Sequence, residues 1–286
     1  MSEKRIGVIG GSGLYEMEGI ESREEVQVET PFGAPSDSYS ICKIAGHEVV
    51  FLPRHGQGHC LMPSELHFRA NIYGMKKLGV ERIISISAVG SMKEHIAPRD
   101  IVFPDQFLDR TRRRVDTFFG DGVVAHISFS DPVCTELSGF LSEIAEDVGA
   151  TVHRGGTYVC IEGPAFSTRA ESELYRSWGV DVIGMTNYQE AKLAREAEIC
   201  YATMACVTDY DCWYEGEEAV TVEMLLENLQ KNSAMSQQII KDAVEQFPTE
   251  RTCECGSALE NAILTAPDDI PEETRRKLDV ILQKYI

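Results

Sequence analysis

The sequence predicts one α/β domain built on a mostly parallel or mixed β-sheet. Short apolar runs alternate with longer helical patterns along the 286 residues, which is typical of strands that are followed by helices. Several runs are continuous in Val, Ile, Ala and Cys, as expected for strands covered on both faces. The runs Tyr39–Ile44 and Glu48–Leu52 are joined by Ala45-Gly46-His47, and this antiparallel-looking pair indicates a mixed sheet. Neither a repeat nor a low-complexity linker divides the chain, so we expect residues 1–286 to form a single domain.

Short apolar runs bounded by turn residues predict the strands. In chain order these are Arg5–Ile9, Tyr39–Ile44, Glu48–Leu52, Arg82–Ala88, Ile101–Phe103, Thr157–Cys160, Val180–Gly184 and Cys200–Thr208. Longer stretches with apolar residues at helical spacing predict the helices. In chain order these are Glu65–Lys77, Asp131–Val148, Arg169–Trp178, Gln189–Glu198, Val222–Val244, Gly256–Leu264 and Glu272–Lys284.

Composition and charge exclude several classes of protein. Hydrophobic residues make up 43% and charged residues 26% of the chain, as in an ordinary globular enzyme. The net charge of −19 argues against a nucleic-acid or anionic-membrane partner, because phosphate binding needs a basic field. A small anionic substrate stays compatible, since local donors can outweigh the global charge. Neither a signal-peptide core nor a stretch of transmembrane length is visible, so we expect a cytoplasmic protein.

The cysteines point to the same compartment. Most of the nine lie in apolar surroundings, where a free thiol behaves as a small buried hydrophobe. We therefore expect buried free thiols in a reducing cytoplasm. The residues concerned are Cys42, Cys60, Cys134, Cys160, Cys200, Cys206 and Cys212.

The segment Gly10-Gly11-Ser12-Gly13 follows the first predicted strand. Glycines let the backbone turn tightly and leave amides free to face an anion, and Ser12 adds a hydroxyl donor. Glu16 occupies the place of the third glycine of a dinucleotide fingerprint, and no Gly-Lys-Ser/Thr follows as in a P-loop. An ordinary tight turn remains the alternative to an anion site.

A second polar segment, Pro53–His59, also follows a strand. Arg54 carries a planar fork of donors that suits an oxyanion, with His55 beside it. A structural loop and a metal site at His55 and His59 are the alternatives. No Glu follows His55 as in a His-Glu-x-x-His helix, and the glycines indicate a loop, so we favour anion binding and expect no metal.

Small residues end a third strand at Ser85–Ser91. Ser87, Ala88 and Gly90 allow backbone amides to approach a ligand closely. A tightly packed turn is the alternative. Open sheets gather ligands at the carboxyl ends of their strands, and three such strand ends in one chain favour a shared site.

Two further strand-to-helix connections carry polar groups. Ser167 or Thr168 can cap the helix that follows Gly163-Pro164, and Phe166 is either a stacking surface for an aromatic ligand or a buried staple. Thr186 places another hydroxyl at a strand end. Glu190, in the first turn of the next helix, can serve the helix dipole.

The segment Thr208–Asp211 carries the strongest functional signal, because it follows a buried apolar run. Asp209 and Asp211 point the same way if the strand continues. Carboxylates at the end of a buried strand are costly unless something binds them. A purine edge offers N7 and a 6-amino group, so one carboxyl can donate to N7 while the other accepts from the amine. Solvated turn residues are the alternative.

Together these segments resemble the trimeric purine nucleoside phosphorylase family, in particular its members that cleave 5'-methylthioadenosine. The matching segments cover most of the chain in the same order, so the resemblance is more specific than any single motif. It includes Ile6–Leu14, Phe51–Gly56, Asp105–Thr111, Glu162-Gly163-Pro164 and Thr208–Trp213. The resemblance implies a single α/β domain with a mixed, distorted central sheet flanked by helices, assembled as a homotrimer or a dimer of trimers.

The resemblance also implies a role for each matching position. Phosphate would be held by Ser12, Arg54, His55, Ser87, the Ala88 amide and Thr186. Ribose and base would be bound by Met185, Phe166, Ser167, Asp209 and Asp211. The 5'-methylthio group would contact Val222, Leu225 and Leu226, with His126 offered by a neighbouring subunit. An apolar set suits a thioether better than a hydroxyl, because a buried hydroxyl needs a partner.

The implied reaction is phosphorolysis of 5'-methylthioadenosine to adenine and 5-methylthioribose 1-phosphate. Asp209 would protonate the leaving purine at N7, with a pKa raised by burial. Phosphate, oriented by Arg54 and His55, would attack the anomeric carbon, and positioning and electrostatics would supply most of the acceleration. Neither a cofactor nor a metal is implied, and inorganic phosphate is a co-substrate.

Three positions depart from the family's pattern. Gln189 stands where members usually carry proline, Ala165 where many carry arginine, and Ser87 where many carry threonine. The first two can shift the loops near the ribose and base. Cys253-Glu254-Cys255 resembles a Cys-x-Cys that forms a disulfide in some heat-stable relatives. A disulfide and free thiols both stay open here, and a reducing cytoplasm favours free thiols.

Three competing functions remain open. A 6-oxopurine or methylthioinosine phosphorylase is the nearest, but a 6-oxo group is an acceptor and favours an amide over Asp209 and Asp211. A dinucleotide-dependent oxidoreductase lacks the required glycine spacing. A catalytically silent nucleoside-binding protein is disfavoured by the intact Arg54, His55 and Thr186.

Overall fold

The predicted mixed α/β architecture is confirmed by the structure. The computed structural model describes residues 5–11, 14, 17, 19–214, 222–248 and 250–286, with the backbone alone at 222–226. Within these residues one sheet contains eleven strands.

The strands and helices have the following bounds. The strands are β1 (Arg5–Gly10), β2 (Ile20–Val26), β3 (Tyr39–Ile44), β4 (His47–Pro53), β5 (Val80–Ser91), β6 (Ile101–Phe103), β7 (Gln106–Arg110), β8 (Val152–Arg154), β9 (Thr157–Ile161), β10 (Val182–Gly184) and β11 (Cys200–Tyr210). The helices are α1 (Phe68–Lys77), α2 (Thr135–Asp147), α3 (Arg169–Ser177), α4 (Asn187–Glu196), α5 (Val222–Glu245), α6 (Glu272–Lys277) and α7 (Asp279–Leu282). Short 3₁₀ turns cover Pro63–Glu65, Glu254–Ser257 and Pro267–Asp269.

The strand order is β2-β3-β4-β1-β5-β10-β9-β7, while β11 pairs with β5 and β6, and β6 with β8. Strand β5 is the centre of the sheet. It pairs in parallel with β1 and β11, and its last residues also pair antiparallel with β10. The register of β11 on β5 shifts between Val207 and Asp209, which brings Asp209 opposite Gly90. Because β1, β5 and β11 run the same way, their carboxyl ends meet at one edge, where ligands of open α/β sheets bind.

Two apolar layers cover the sheet. On one side α1, α4 and the C-terminal Leu278 and Ile281 share a core with β1 and β5. On the other side α2 and α5 pack against the central strands through residues such as Leu141 and Ile240. Among the helices of the described residues, none is long and apolar enough to cross a membrane.

Sequence patterns missed three strands and misjudged two helices. Strands β2, β7 and β8 are short or largely exposed and carry many charged residues, so they have no apolar run. The predicted helix Gly256–Leu264 is wrong: a 3₁₀ turn is followed by irregular turns, and Ile263 pairs with Ala125 in an isolated bridge. The predicted helix Glu272–Lys284 is divided at Leu278 into α6 and α7.

The fold predicts opposite effects for two glycine substitutions in helices. A Cβ at Gly74 of α1 would lie 2.1 Å from Oη of Tyr39, a buried side chain that donates to the Asn71 carbonyl. We expect Gly74→Ala to destabilise the protein by about 1–3 kcal/mol through overpacking. A Cβ at Gly139 of α2 meets nothing within 4 Å, so Gly139→Ala should stabilise by up to about 1 kcal/mol. Urea unfolding measures both, and equal effects would contradict the close approach at Gly74.

Candidate active site

The strand ends surround a cavity of about 490 Å³. Its wall combines the residues after β1 and β4, the last residues of β5, β10 and β11, and one face of α5. Ten of the residues predicted for the site line this cavity. They are Arg54, His55, Ser87, Ala88, Phe166, Ser167, Met185, Thr186, Asp209 and Asp211. The separate strand ends therefore line one cavity, and the binding role of each residue stays a prediction.

The other five predicted residues either have no described side chain or line another depression. Ser12 lies outside the described residues. Val222, Leu225 and Leu226 belong to the first turns of α5, where the backbone alone is described. His126 is exposed and lines a different depression, beside Cys134 and Cys255. The family resemblance implies that His126 reaches this cavity from a second copy, and that placement stays a prediction.

A buried ion pair lies beneath the cavity. Arg54 and Glu190 are each 3% exposed, and Nε and Nη2 of Arg54 donate to the two carboxylate oxygens over 2.7 and 3.0 Å. Nη2 also donates to Ser85 Oγ, and Nη1 donates to the Ile86 carbonyl. The fork of Arg54 thus faces Glu190 and not a ligand. One Nη1 hydrogen has no acceptor among the described residues, and Arg54 lines the cavity.

A buried amide extends this network. Nδ2 of Asn187, the first residue of α4, lies 2.9–3.1 Å from the hydroxyls of Ser85, Tyr201 and Thr203. The Tyr201 hydroxyl also donates to Glu190. Each side chain of this network has a hydrogen-bond partner, as buried polar groups require. Sequence reasoning missed this network because its members are far apart along the chain.

The α4 terminus provides a place for an anion. Thr186 is the N-cap residue of α4 and lines the cavity, and a helix N-terminus attracts negative charge. Ser87 Oγ is buried without a well-oriented hydrogen-bond partner in the described structure, with the Tyr158 hydroxyl beside it. A buried hydroxyl of this kind has a donor available for a ligand.

His55 is neutral in this environment. Its Nδ1 lies 2.8 Å from the Leu61 carbonyl, so Nδ1 carries the proton and donates it. Burial lowers the pKa of His55 to about 4, with Arg54 and His59 adding to the effect. The ring stacks on His59 with centroids 4.2 Å apart. At neutral pH, Nε2 of His55 is therefore an acceptor.

The two carboxyls at the end of β11 share the cavity wall. The Thr208 hydroxyl donates to Oδ2 of Asp209 over 2.6 Å. Burial raises the pKa of Asp209, and the negative charge of Asp211 adds to this effect. Gly90 makes room for the carboxyl, because a Cβ there would lie 3.3 Å from Oδ1 of Asp209. With Oδ2 occupied by Thr208, Oδ1 is the oxygen left to carry a proton toward a ligand.

One face of α5 completes the wall. Asn228 and Asn232 donate to the carbonyls of Thr208 and Val207, which holds α5 against the end of β11. The cavity is also lined from α5 by Leu229, Asn232, Ser233 and Ser236. Sequence reasoning missed these four residues, although their i, i+3, i+4 and i+7 spacing is the pattern of one helix face.

The remaining wall contains the predicted ribose and base residues. Phe166 is 78% exposed, so it is a free aromatic surface and not a buried staple. Ser167 Oγ is buried with no partner within the described chain. Arg114, which the sequence did not single out, donates to the Met185 carbonyl and to Gln189. Gln189 also donates to Thr111, so this departure from the family pattern anchors a loop and does not line the cavity.

Comparisons with known proteins agree with this geometry. The sequence profile of the phosphorylase superfamily matches residues 5–245. The S-methyl-5'-thioadenosine phosphorylase of Geobacter sulfurreducens is 61% identical over 285 residues, which are 99% of this chain and 100% of the relative.

Two solved structures are also similar. A methylthioadenosine phosphorylase from an antarctic soil metagenomic library has a TM-score of 0.95 at 48% identity, covering 99% of this chain and 100% of its own. A mutant of the adenosine/methylthioadenosine phosphorylase of Schistosoma mansoni, in complex with methylthioadenosine, has a TM-score of 0.82 at 35% identity, covering 90% and 96%.

The buried pair predicts a large difference between two equivalent substitutions. Glu190→Gln leaves the Arg54 charge buried without a counter-ion, and we expect a loss of about 3–5 kcal/mol in the free energy of unfolding. Glu227→Gln removes the partner of Lys231 from an exposed pair on α5 and should cost less than about 0.5 kcal/mol. Urea unfolding of both variants decides the matter. Comparable losses would mean that the Arg54–Glu190 pair is not the buried constraint seen here.

Proposed function

The chain belongs to the phosphorylase superfamily, and we propose that its cavity cleaves 5'-methylthioadenosine with inorganic phosphate. The protein is a pentosyltransferase that releases adenine and forms 5-methylthioribose 1-phosphate. One observation carries the assignment: Asp209 and Asp211 share a cavity with the unpaired Ser87 hydroxyl and the N-terminus of α4. Groups suited to a purine edge and groups suited to phosphate thus lie in one cavity, where a nucleoside and a phosphate ion can bind side by side.

Asp209 and Asp211 bind the adenine edge. The raised pKa of Asp209 favours the protonated form, which donates from Oδ1 to N7 as the glycosidic bond breaks. Asp211 accepts a hydrogen bond from the 6-amino group. Phe166 and Ser167 line the base, and Met185 lies against the ribose. The purine leaves as a neutral base, because its developing charge is cancelled at N7.

Phosphate is held mostly by neutral donors. The Ser87 and Thr186 hydroxyls, the Ala88 amide and the free Nη1 hydrogen of Arg54 surround it, and Ser12 adds a hydroxyl. The N-terminus of α4 supplies the positive end of a dipole. Since Glu190 already neutralises Arg54, the anion gains its stabilisation from oriented dipoles, which need no reorganisation during the reaction.

His55 orients the phosphate proton. Its Nε2 accepts a hydrogen bond from the phosphate hydroxyl and so directs an unprotonated oxygen toward the anomeric carbon. The low pKa of His55 keeps this acceptor free across the neutral range. As the sugar gains oxocarbenium character, these hydrogen bonds keep the attacking oxygen positioned next to the anomeric carbon. The reaction needs no metal or organic cofactor, and phosphate is the co-substrate.

The 5'-methylthio group packs against the start of α5. Leu225 and Leu226 precede the cavity residue Leu229 by four and three positions, and Val222 precedes Leu226 by four, so they share one helix face. This apolar face suits a thioether. His126 comes from a neighbouring copy in a homotrimer or a dimer of trimers, because in its own chain it lies away from the cavity.

The whole chain, residues 1–286, forms a single nucleoside phosphorylase domain in this proposal. Leu278, Ile281 and Leu282 support this extent, because they pack into the core that contains α1 and β5. Nine free thiols support a reducing, cytoplasmic location. The partners are small molecules, namely a nucleoside and phosphate, and not nucleic acid or a membrane.

The first experiment measures phosphate-dependent base release from 5'-methylthioadenosine, adenosine, inosine and methylthioinosine. We expect 5'-methylthioadenosine to have the highest kcat/KM, and the 6-oxo substrates to lose about four to five powers of ten, because they leave polar groups at Asp209 and Asp211 mismatched. Preference for the 6-oxo substrates would establish the alternative, a methylthioinosine or 6-oxopurine phosphorylase.

The two carboxyls predict distinct phenotypes. Asp209→Asn removes the proton donor, so kcat should fall by about 10²–10⁴-fold. We expect the wild-type rate to fall as pH rises through the raised pKa of Asp209, because the proton donor is lost, and we expect this pH dependence to be absent in Asp209→Asn. Asp211→Asn replaces an acceptor with a donor and should shift kcat/KM toward 6-oxo nucleosides. Unchanged thermal unfolding of both variants is the control. Undiminished adenine release by Asp209→Asn would remove its assignment as the acid.

A further inference from the structure

Four cysteines from three parts of the chain come together far from the active site. Cys134 is the N-cap residue of α2, Cys200 begins β11, and Cys253 and Cys255 flank the start of a 3₁₀ turn. Their four Sγ atoms all lie within 4.8 Å of one another. Three of the four residues are buried and Cys253 is partly buried. The sequence shows the Cys-x-Cys motif, but it does not show that Cys134 and Cys200 lie beside this motif in the fold.

The sulfur positions fit a single metal ion. The Sγ atoms of Cys200 and Cys253 lie 3.3 Å apart, which is longer than the about 2.05 Å of a disulfide bond. Four thiolates around one Zn²⁺ at about 2.3 Å lie about 3.8 Å apart at the corners of a tetrahedron. We propose that these four cysteines bind one Zn²⁺ ion in a closed structural site.

The donor set selects the ion. Four thiolates are soft ligands, and a tetrahedral S₄ set is typical of zinc or of iron–sulfur centres, whereas calcium and magnesium take oxygen. A polynuclear cluster places several metal and sulfide atoms between its ligands, so it needs its four sulfurs farther apart than this group holds them. Four sulfur atoms within 4.8 Å of one another match the spacing around a single zinc ion.

The surroundings offset the charge. Zn²⁺ with four thiolates carries a net charge of about −2, which a buried site has to balance. The Arg251 guanidinium contacts the Cys200 sulfur and is fixed by donating to the Glu198 carbonyl. The Cys134 sulfur accepts from the Leu137 amide at the positive end of the thirteen-residue helix α2. The ligands therefore have a cation and a helix dipole beside them.

The ion would be structural and not catalytic. Four protein ligands leave no position for a substrate. Cys200 and Asp209 lie nine residues apart on β11, roughly 30 Å at strand spacing, so the ion is remote from the nucleoside. It would join the start of α2, the start of β11 and the C-terminal segment, where Thr252 already donates to Glu136 of α2. A depression of about 730 Å³ lined by Cys134, Cys253 and Cys255 gives the ion access.

Metal analysis of the full chain tests this site without relying on activity. We expect about one zinc per chain after purification in reductant, because a closed Cys₄ site binds zinc tightly. Replacement by Co²⁺ should give the intense visible bands and near-ultraviolet thiolate charge-transfer band of tetrahedral S₄ coordination. Metal removal should lower the Tm by roughly 5–10 °C, while adenine release at low temperature continues.

Matched variants locate the ion. Cys255→Ala should lose zinc to a chelator concentration that leaves the wild type loaded, while Cys42→Ala, at a buried cysteine of β3 outside the group, should retain it. Absence of zinc after reconstitution of the reduced protein would overturn the proposal. A mass lower by four hydrogens, the signature of two disulfides in a freshly isolated chain, would also overturn it. If Cys255→Ala does not fold, the cobalt spectrum of the wild type tests the site instead.

Discussion

The buried pair of Arg54 and Glu190 is the constraint on which the active site depends. It joins the residue after β4 to the first turn of α4, and through Ser85 and the Ile86 carbonyl it reaches the middle of β5. Neither charge can be removed alone without leaving the other buried. Consequently the pair fixes the N-terminus of α4 beside the last residues of β5, so that one phosphate could contact both elements.

This pairing changes how an acidic protein binds an anion. The chain carries a net charge of −19 and Arg54 is paired with Glu190, so in the proposed site neither long-range attraction nor an unpaired Arg54 supplies the affinity for phosphate. Oriented hydroxyls and the helix terminus remain, and their dipoles are worth most in a site that excludes water. Burial acts on both titratable groups: it lowers the pKa of His55 to about 4, which leaves the ring neutral as an acceptor, and it raises the pKa of Asp209.

Sequence reasoning located the site but not its supports. Strand ends rich in glycine and hydroxyls are local patterns, and the parallel sheet brings them together without further information, so Ser87, Thr186 and Asp209 could be assigned to one cavity. The partner of Arg54 could not be found in this way, because Glu190 is 136 residues away and resembles any acidic residue in a first helical turn. The exposed strands β2 and β7 were missed for a related reason: their pairing comes from neighbours and not from an apolar run.

Strand β11 connects these observations. Its end is held from two sides, by β5 through a shifted register and by Asn228 and Asn232 of α5, so the carboxyls proposed to bind adenine lie at an anchored strand end. Its beginning carries Cys200, and an ion there would fix the strand against α2 and the C-terminal segment. A proton donor that acts in a short-lived transition state has to be in place beforehand, because reorganisation would cost the rate it is meant to provide. In the proposed site, anchoring both ends of one strand would achieve this.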